Sequence, residues 1–312
     1  MASWIVSPPA CAPRKSVPAG TGSSPAAGRR SSSHVMPLSE FEIIRRYFDH
    51  RSPSAAEVIK GIGDDAALLG ARPGADLVIA IDTLVEAVHF PPETLADDIG
   101  YKALAVNLSD LAAMGAEAAW FTLALTLPRP DVFWLADFSR GLFELADEAG
   151  VRLVGGDTTR GPLTVTVQAG GYVPRGQALL REGARPGDLI YVTGTLGDAA
   201  LALALWRQDS GRVAANHPGL WARLNRPPAR WREGQALRGL ARCAIDISDG
   251  LLADLGHLLE GGDIGARVRL DAIPVSDAAR EVLERHPDWQ PLLWQGGDDY
   301  ELCFCVAPDR QA

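Results

Sequence analysis

The stretch VRLVGGDTTRGPLTVTV, residues 151–167, sets the fold class. Residues 151–154 and 163–167 are short apolar, β-branched runs that read as strands, and the polar Gly-rich segment between them reads as a turn. Upstream, residues 131–149 carry a helical period, residues 120–127 form an apolar strand closed by Pro128 and Pro130, and residues 96–114 form a long helix. Further out, residues 77–81 read as a short strand, and Ser39 ahead of Glu40, Phe41, Ile43, Ile44, Tyr47 and Phe48 reads as a capped first helix. Downstream, Gly170, Gly171 and Pro174 mark a change of character. Beyond them come a strand at 189–193, a helix through 199–206, an irregular segment at 208–228 and a helix at 229–240. A strand ending at Asp246, a helix at 248–259, a strand at 266–270 and a last strand near 301–306 follow. Strands and helices interleave without a fixed repeat, so the expected class is α/β (α+β) with two domains, 36–173 and 174–312, each with elements enough for one core.

Composition narrows the function. Against 39 Asp+Glu stand 30 Lys+Arg, a net charge of −9, which disfavours a nucleic-acid or anionic-membrane binder. Residues 1–35 hold four bases and no acid, so the remainder carries 26 bases against 39 acids, a net −13. That leader lacks an apolar signal core and reads as a disordered tail, or as a start set too early with Met36 the true one. Apolar runs such as 199–206 fall far short of the roughly 18 residues of a membrane span. Four cysteines, Cys11, Cys243, Cys303 and Cys305, have neither zinc-ligand nor disulfide-scaffold spacing and fit a reducing cytoplasm; Cys303 and Cys305 read as core packing on one strand face.

The acids sit in unusual places. Asp64 and Asp65 follow Gly61-Ile62-Gly63; Asp82 follows Ile81 at a strand end; Asp110 lies in a helix after Asn107 and Ser109. Asp157 follows Gly155-Gly156, and Asp246, Ser248 and Asp249 join a strand to a helix, with Asp298 and Asp299 after Gly296-Gly297 a further instance. A carboxylate beside apolar residues at a strand end is partly desolvated and costs several kcal/mol unless a positive partner meets it. Taken singly, Ser248 or Asp249 also fits a helix N-cap and Asp65 a plain turn residue. Taken together, they point to divalent cations, and oxygen-only donors without His or Cys select Mg²⁺ over zinc. Several such ions imply bound phosphates. No G-x-x-x-x-G-K-[ST], H-E-x-x-H or G-x-S-x-G occurs, and two carboxylates inside the Gly61–Ala66 segment speak against a dinucleotide fingerprint.

The blocks GIGDDAALL (61–69), DTLV (82–85) with His89-Phe90, and YKALAVNLSDLAAMGA (101–116) are followed by LVGGDTTRGP (153–162) and PGDLIYVTGTLGD (186–198). AIDISDGLLADLGH (244–257) and GGDDYELCF (296–304) complete the set. Across about 38–312 the chain resembles the thiamine-monophosphate kinase family, of the superfamily that includes aminoimidazole ribonucleotide synthetase and selenophosphate synthetase. The resemblance implies the two-domain fold of that superfamily, a homodimer paired through the N-terminal domains, and Mg²⁺-dependent transfer of the γ-phosphoryl of ATP to thiamine monophosphate. It also implies several metal ions on Asp65, Asp82, Asp110, Asp157, Asp246 and Asp249; ATP contacts at Gly156, Asp157, Arg181 and Ser248; and substrate contacts at His89 and Asp298. His89 also reads as a turn histidine and Arg181 as a solvated loop charge. The acceptor is a phosphate monoester with a second pKa of about 6, so no strong general base is required. Three departures stand out: Ala80 and Ile81 replace the family's small hydroxyl residues, Asp298 replaces its glutamate, and relatives continue past Ala312, implying a truncated C-terminal domain. The rival readings are a related ATP-dependent synthetase or a non-catalytic Mg-ATP-binding protein.

Overall fold

The computed structural model describes residues 39–49, 57–260 and 264–310; the leader 1–35, Met36 and the terminal Ala312 lie outside them. Ser39 caps the first helix, α1 (Glu40–Ile43), through a reciprocal exchange with Glu42, whose Oε2 accepts from the Ser39 amide and hydroxyl at 2.8 Å each. The helix continues as a π-turn at Ile44–Phe48.

Two short strands, β1 (Val58–Lys60) and β2 (Leu68–Leu69), pair across the Asp64–Asp65 loop. The first main sheet has four strands, β3 (Ala75–Val85), β4 (Glu117–Leu127), β5 (Arg152–Arg160) and β6 (Thr164–Pro174), in the order β3-β6-β4-β5. Two of its strands are longer than the sequence suggests. β3 runs through Asp82 to Val85, so Asp82 lies inside the strand rather than at its end. β5 absorbs the Gly-rich segment: Gly155 to Arg160 pair in parallel with Thr122 to Leu127 after a bulge at Phe121/Thr122, and the ladder overrides the turn preference of Gly, Asp and Thr. β5 and β6 are not partners, because β4 lies between them.

Helices α2 (Ala96–Ala113) and α3 (Val132–Ala149) cover one face of this sheet and fill its core with Leu104, Leu108, Leu111, Phe121, Phe138 and Leu142. Asp131 caps α3 by accepting from the amides of Phe133 and Trp134. α2 and α3 meet closely because each has a glycine at the crossing: a Cβ on Gly100 or Gly141 would strike the backbone of the other helix.

The second half builds a three-stranded sheet, β7 (Leu189–Val192), β8 (Ala241–Asp246) and β9 (Leu302–Val306), ordered β7-β9-β8. Around it stand α4 (Asp198–Gln208), α5 (Val213–Asn216), α6 (Pro218–Asn225), α7 (Trp231–Ala236), α8 (Leu251–Leu259), α9 (Asp277–Arg285) and α10 (Leu292–Gln295). Here three expectations are corrected. Residues 208–228 are not irregular but carry α5 and α6, started by Pro218 at the first helical turn. The helix expected at 229–240 shortens to α7. The strand expected at 266–270 is absent: Ala266, Arg267 and Arg269 are exposed with no pairing strand, and a single 3₁₀ turn, Leu270–Ala272, follows. Cys303 and Cys305 are buried in the second core with Cys243, as the strand period implied.

A polar joint ties the halves. Arg226, just past α6, reaches Asp97 and Asp98 on α2 and Glu144 on α3, donating to Glu144 Oε1 at 2.9 Å and Asp97 Oδ2 at 3.2 Å, with its guanidinium over the Tyr101 ring. Removing one guanidinium leaves three carboxylates without their shared counter-charge. Arg226→Ala is expected to lower unfolding free energy by about 2 kcal/mol in urea titration, the half-buried position placing it between surface and buried pairs. Unchanged stability would remove this joint from the account.

Candidate active site

α2 is buried almost all round because it lies between the first sheet with α3 on one side and β8 and α7 on the other. Its polar residues therefore fall at junctions. Lys102 and Ser109, seven residues apart, lie on one helical face, with Asp110 adjacent. Ser109 donates its hydroxyl to Asp246 Oδ2 at 2.8 Å, across 137 residues of sequence. Asp110 shares a hydrogen bond with Asp82 of β3. Three of the expected metal ligands, Asp82, Asp110 and Asp246, thus converge where the two halves meet.

Their ionisation reflects crowding. Burial, followed by the charges of Asp246 and Asp82, pushes Asp110 up to about 8 from an ordinary 3.8, with Arg181 opposing. Burial raises Asp246 to about 6, against the Ser109 hydrogen bond and with Asp254 and Asp82 adding to the rise. Burial also raises Asp82, while its hydrogen bond to Asp110 and the nearby His89 pull it down. Carboxylates packed this way repel one another and favour a shared cation. Arg181 and His89 act on the group from a distance, but among the described residues no basic side chain forms an ion pair with Asp65, Asp82, Asp110, Asp157, Asp246 or Asp249. The donors are all hard oxygens, which fits magnesium. No group of three or more His, Cys, Asp or Glu among the described residues stands closed into a ready-made metal cage.

Asp65, Gly156 and Asp157 are placed elsewhere. They line a cleft of about 760 Å³ bounded also by Arg45, Phe48 and Thr122. Asp82, Val167, Leu123 and Gly156 form one row across the sheet, so this cleft lies about 14 Å, three strand spacings, from the Asp82 group. Asp249 and Ser248 occupy the β8–α8 turn. Asp254 of α8 reaches back to accept from the amides of Asp249 and Gly250 at 3.0 and 3.1 Å, so Asp254 is the capping acid there and Asp249 stays exposed. Arg181 is exposed on the side of Asp110.

The expected substrate residues come together through a side chain that sequence reasoning missed. His89 sits in a tight turn after β3, its Nδ1 accepting from the Val85 amide at 3.0 Å. Asp298 sits in the loop before β9, its amide donating to Ser248 O at 2.9 Å. Lys102, 1% exposed, lies between them. Tyr300, half-buried beside Asp298 with Asp82 and Asp246 near, has its phenol held well above the usual value by desolvation first and these carboxylates next. A lone lysine directly before the apolar run 103–106 was the available signal for Lys102.

The AIR synthase related protein N-terminal domain family matches residues 63–173, and the corresponding C-terminal domain family matches residues 185–312. Thiamine-monophosphate kinase of Salmonella typhimurium is 52% identical over 276 residues, covering 87% of this chain and 83% of that one. The crystal structure of thiamine-monophosphate kinase from Stenotrophomonas maltophilia K279a superposes with a TM-score of 0.78 at 52% identity, covering 82% of each chain. A structure of AaThiL complexed with AMPPCP and TMP superposes with a TM-score of 0.73 at 30% identity, covering 81% of this chain and 82% of that one.

Proposed function

The chain belongs to the thiamine-monophosphate kinase family of AIR synthase related proteins, and from that premise we propose how its own residues serve the reaction. It phosphorylates thiamine monophosphate with ATP, giving thiamine diphosphate and ADP. The observation that carries the residue assignment is the convergence of Asp82 and Asp110, both half-buried, on the buried Asp246, all three raised in pKa and none in an ion pair with a basic side chain among the described residues.

We assign Asp82, Asp110, Asp246 and Asp249 to hold magnesium where the halves meet, and Asp65 and Asp157 to hold it at the cleft lined by Gly156. Magnesium bound there would neutralise phosphate oxygens and the charge that develops as the phosphoryl group moves. Gly156 lets the nucleotide phosphates approach the β5 backbone. Arg181 and Ser248 complete the nucleotide contacts, and His89 and Asp298 hold the thiamine moiety. No residue need abstract a proton, because the acceptor phosphate is already ionised at neutral pH. Ser109 keeps the Asp246 carboxylate oriented through its 2.8 Å bond.

Domains 36–173 and 174–312 suit this arrangement, since the four-stranded sheet is drawn from the first, but for Pro174 at the end of β6, and the three-stranded sheet from the second. A homodimer is supported by β3, an edge strand whose Leu77, Ile79 and Ile81 are 52%, 51% and 61% exposed in a row. Among the described residues no helix is long and apolar enough to cross a membrane, and the three buried thiols suit a reducing cytoplasm.

The test is direct. Purified protein with Mg-ATP and thiamine monophosphate is expected to form thiamine diphosphate, followed by chromatography, and excess EDTA is expected to abolish the product. Nucleotide binding without turnover would overturn the kinase reading in favour of a Mg-ATP-binding protein.

A further inference from the structure

Lys102 is among the largest fully buried side chains of the described residues, and nothing in the local sequence of α2 requires a charge there. Burying an ammonium costs several kcal/mol unless it is paired and hydrogen-bonded, so a Leu or Met would be the cheaper filling. Its Nζ has two partners, both from outside α2: it donates to His89 O at 3.3 Å and lies 3.3 Å from Asp298 Oδ1. These residues are 209 positions apart and belong to different sheets' flanking loops.

The two segments that Lys102 joins are also the strained ones. Among the described residues, three non-glycine residues have positive φ: Ala87 at 61°, Asp298 at 67° and Tyr300 at 50°. Ala87 lies in the His89 turn, where its amide donates to Phe90 O at 3.0 Å. Asp298 and Tyr300 lie in the loop laid against Ile247 and Ser248, with amide bonds of 2.9 and 2.8 Å to Ser248 O and Ile247 O. Left-handed backbone at such residues costs on the order of 1 kcal/mol or more each and persists only where surrounding contacts over-determine it. The buried ion pair is one such contact on both sides.

We propose that Lys102 is a positioning residue for the acceptor. Its ammonium pins the His89 turn to the Asp298 loop, fixing the two substrate-side groups at one separation across the junction of the halves. This assignment rests on the kinase reading for its effect on substrate, but the mechanical link stands on geometry alone.

Two measurements on the full chain separate these. Lys102→Met keeps the stem and removes the charge; it is expected to raise KM for thiamine monophosphate at least tenfold while KM for ATP stays within twofold. Asp298→Asn keeps the lysine and removes its counter-charge. Because Lys102 then loses its anchor, hydrogen exchange at amides 85–90 is expected to accelerate at least fivefold in Asp298→Asn, although Asp298 touches none of them. The double variant is expected to show no larger KM change than the worse single one, since both break one link. Equal rises in both KM values, additive effects, or unaltered exchange at 85–90 in Asp298→Asn would each overturn the proposal. Should Lys102→Met fail to fold, the exchange result on Asp298→Asn decides alone. Absence of turnover in the unaltered protein would instead sink the kinase reading and leave the exchange result to judge the link.

Discussion

Asp110→Asn is expected to lower turnover by about 100- to 1,000-fold and, in EDTA, to raise rather than lower the stability of the fold. The first effect follows from removing a charged oxygen where phosphate charge must be neutralised. The second follows from electrostatics without metal. Asp110 is half-buried beside Asp82 and Asp246, and its pKa stands at about 8 against an ordinary 3.8. An acid whose folded-state pKa is raised binds its proton more tightly when folded, so its contribution to stability is present below pH 4 and is lost as pH rises to 8. Metal-free protein should therefore lose stability over that window, and Asn, with no charge to bury, should flatten the loss and gain about 1 kcal/mol at pH 8. Magnesium should raise the melting temperature of the unaltered protein and leave Asp110→Asn much less affected. Scanning calorimetry across pH, with and without magnesium, provides the check. A variant less stable than the parent in EDTA would mean that Asp110 is a structural hydrogen-bonding group and not a charge awaiting a cation.

Gly156→Ala is expected to be severe and Gly155→Ala nearly silent. A Cβ on Gly156 would collide with the Leu123 carbonyl oxygen and lie 2.8 Å from its carbonyl carbon, both in the backbone of the neighbouring strand, which cannot move without disturbing the sheet. A Cβ on Gly155 meets nothing within 4 Å. The first substitution should cost about 3 kcal/mol, displace the second half of β5 and weaken Mg-ATP binding at least tenfold, because Asp157 follows directly. The second should stay within about 0.5 kcal/mol of the parent. Urea titration and nucleotide calorimetry on both variants read this out, and similar behaviour of the pair would contradict the placement of β5.

Much of the fold was legible where local physics dominates. α2 and α3 follow from helical period and, for α3, from the Asp131 cap; β4 and β9 follow from apolar runs. Failures fall where a distant partner decides. Gly155 to Arg160 prefer a turn alone and become strand because β4 offers a ladder; residues 266–270 have strand composition and stay irregular because no strand lies beside them. α5 and α6 were hidden by Gly211, Pro218 and Gly219, which read as breakers although Pro218 starts a helix.

The site divides in the same way. Sequence alone determined the donor chemistry: acids in Gly-flanked and apolar settings, oxygen ligands only, no base for proton abstraction and no P-loop. Which acids meet was decided by the tertiary structure, which gathers Asp82, Asp110 and Asp246 and sets Asp65 and Asp157 across the sheet. So was the pairing of Lys102 with Asp298, and the difference between Gly155 and its neighbour Gly156. The reason is that side-chain chemistry is a property of the residue, whereas desolvation, charge proximity and steric clearance belong to whatever packing brings within a few ångströms, often from more than a hundred residues away, as with Ser109 and Asp246.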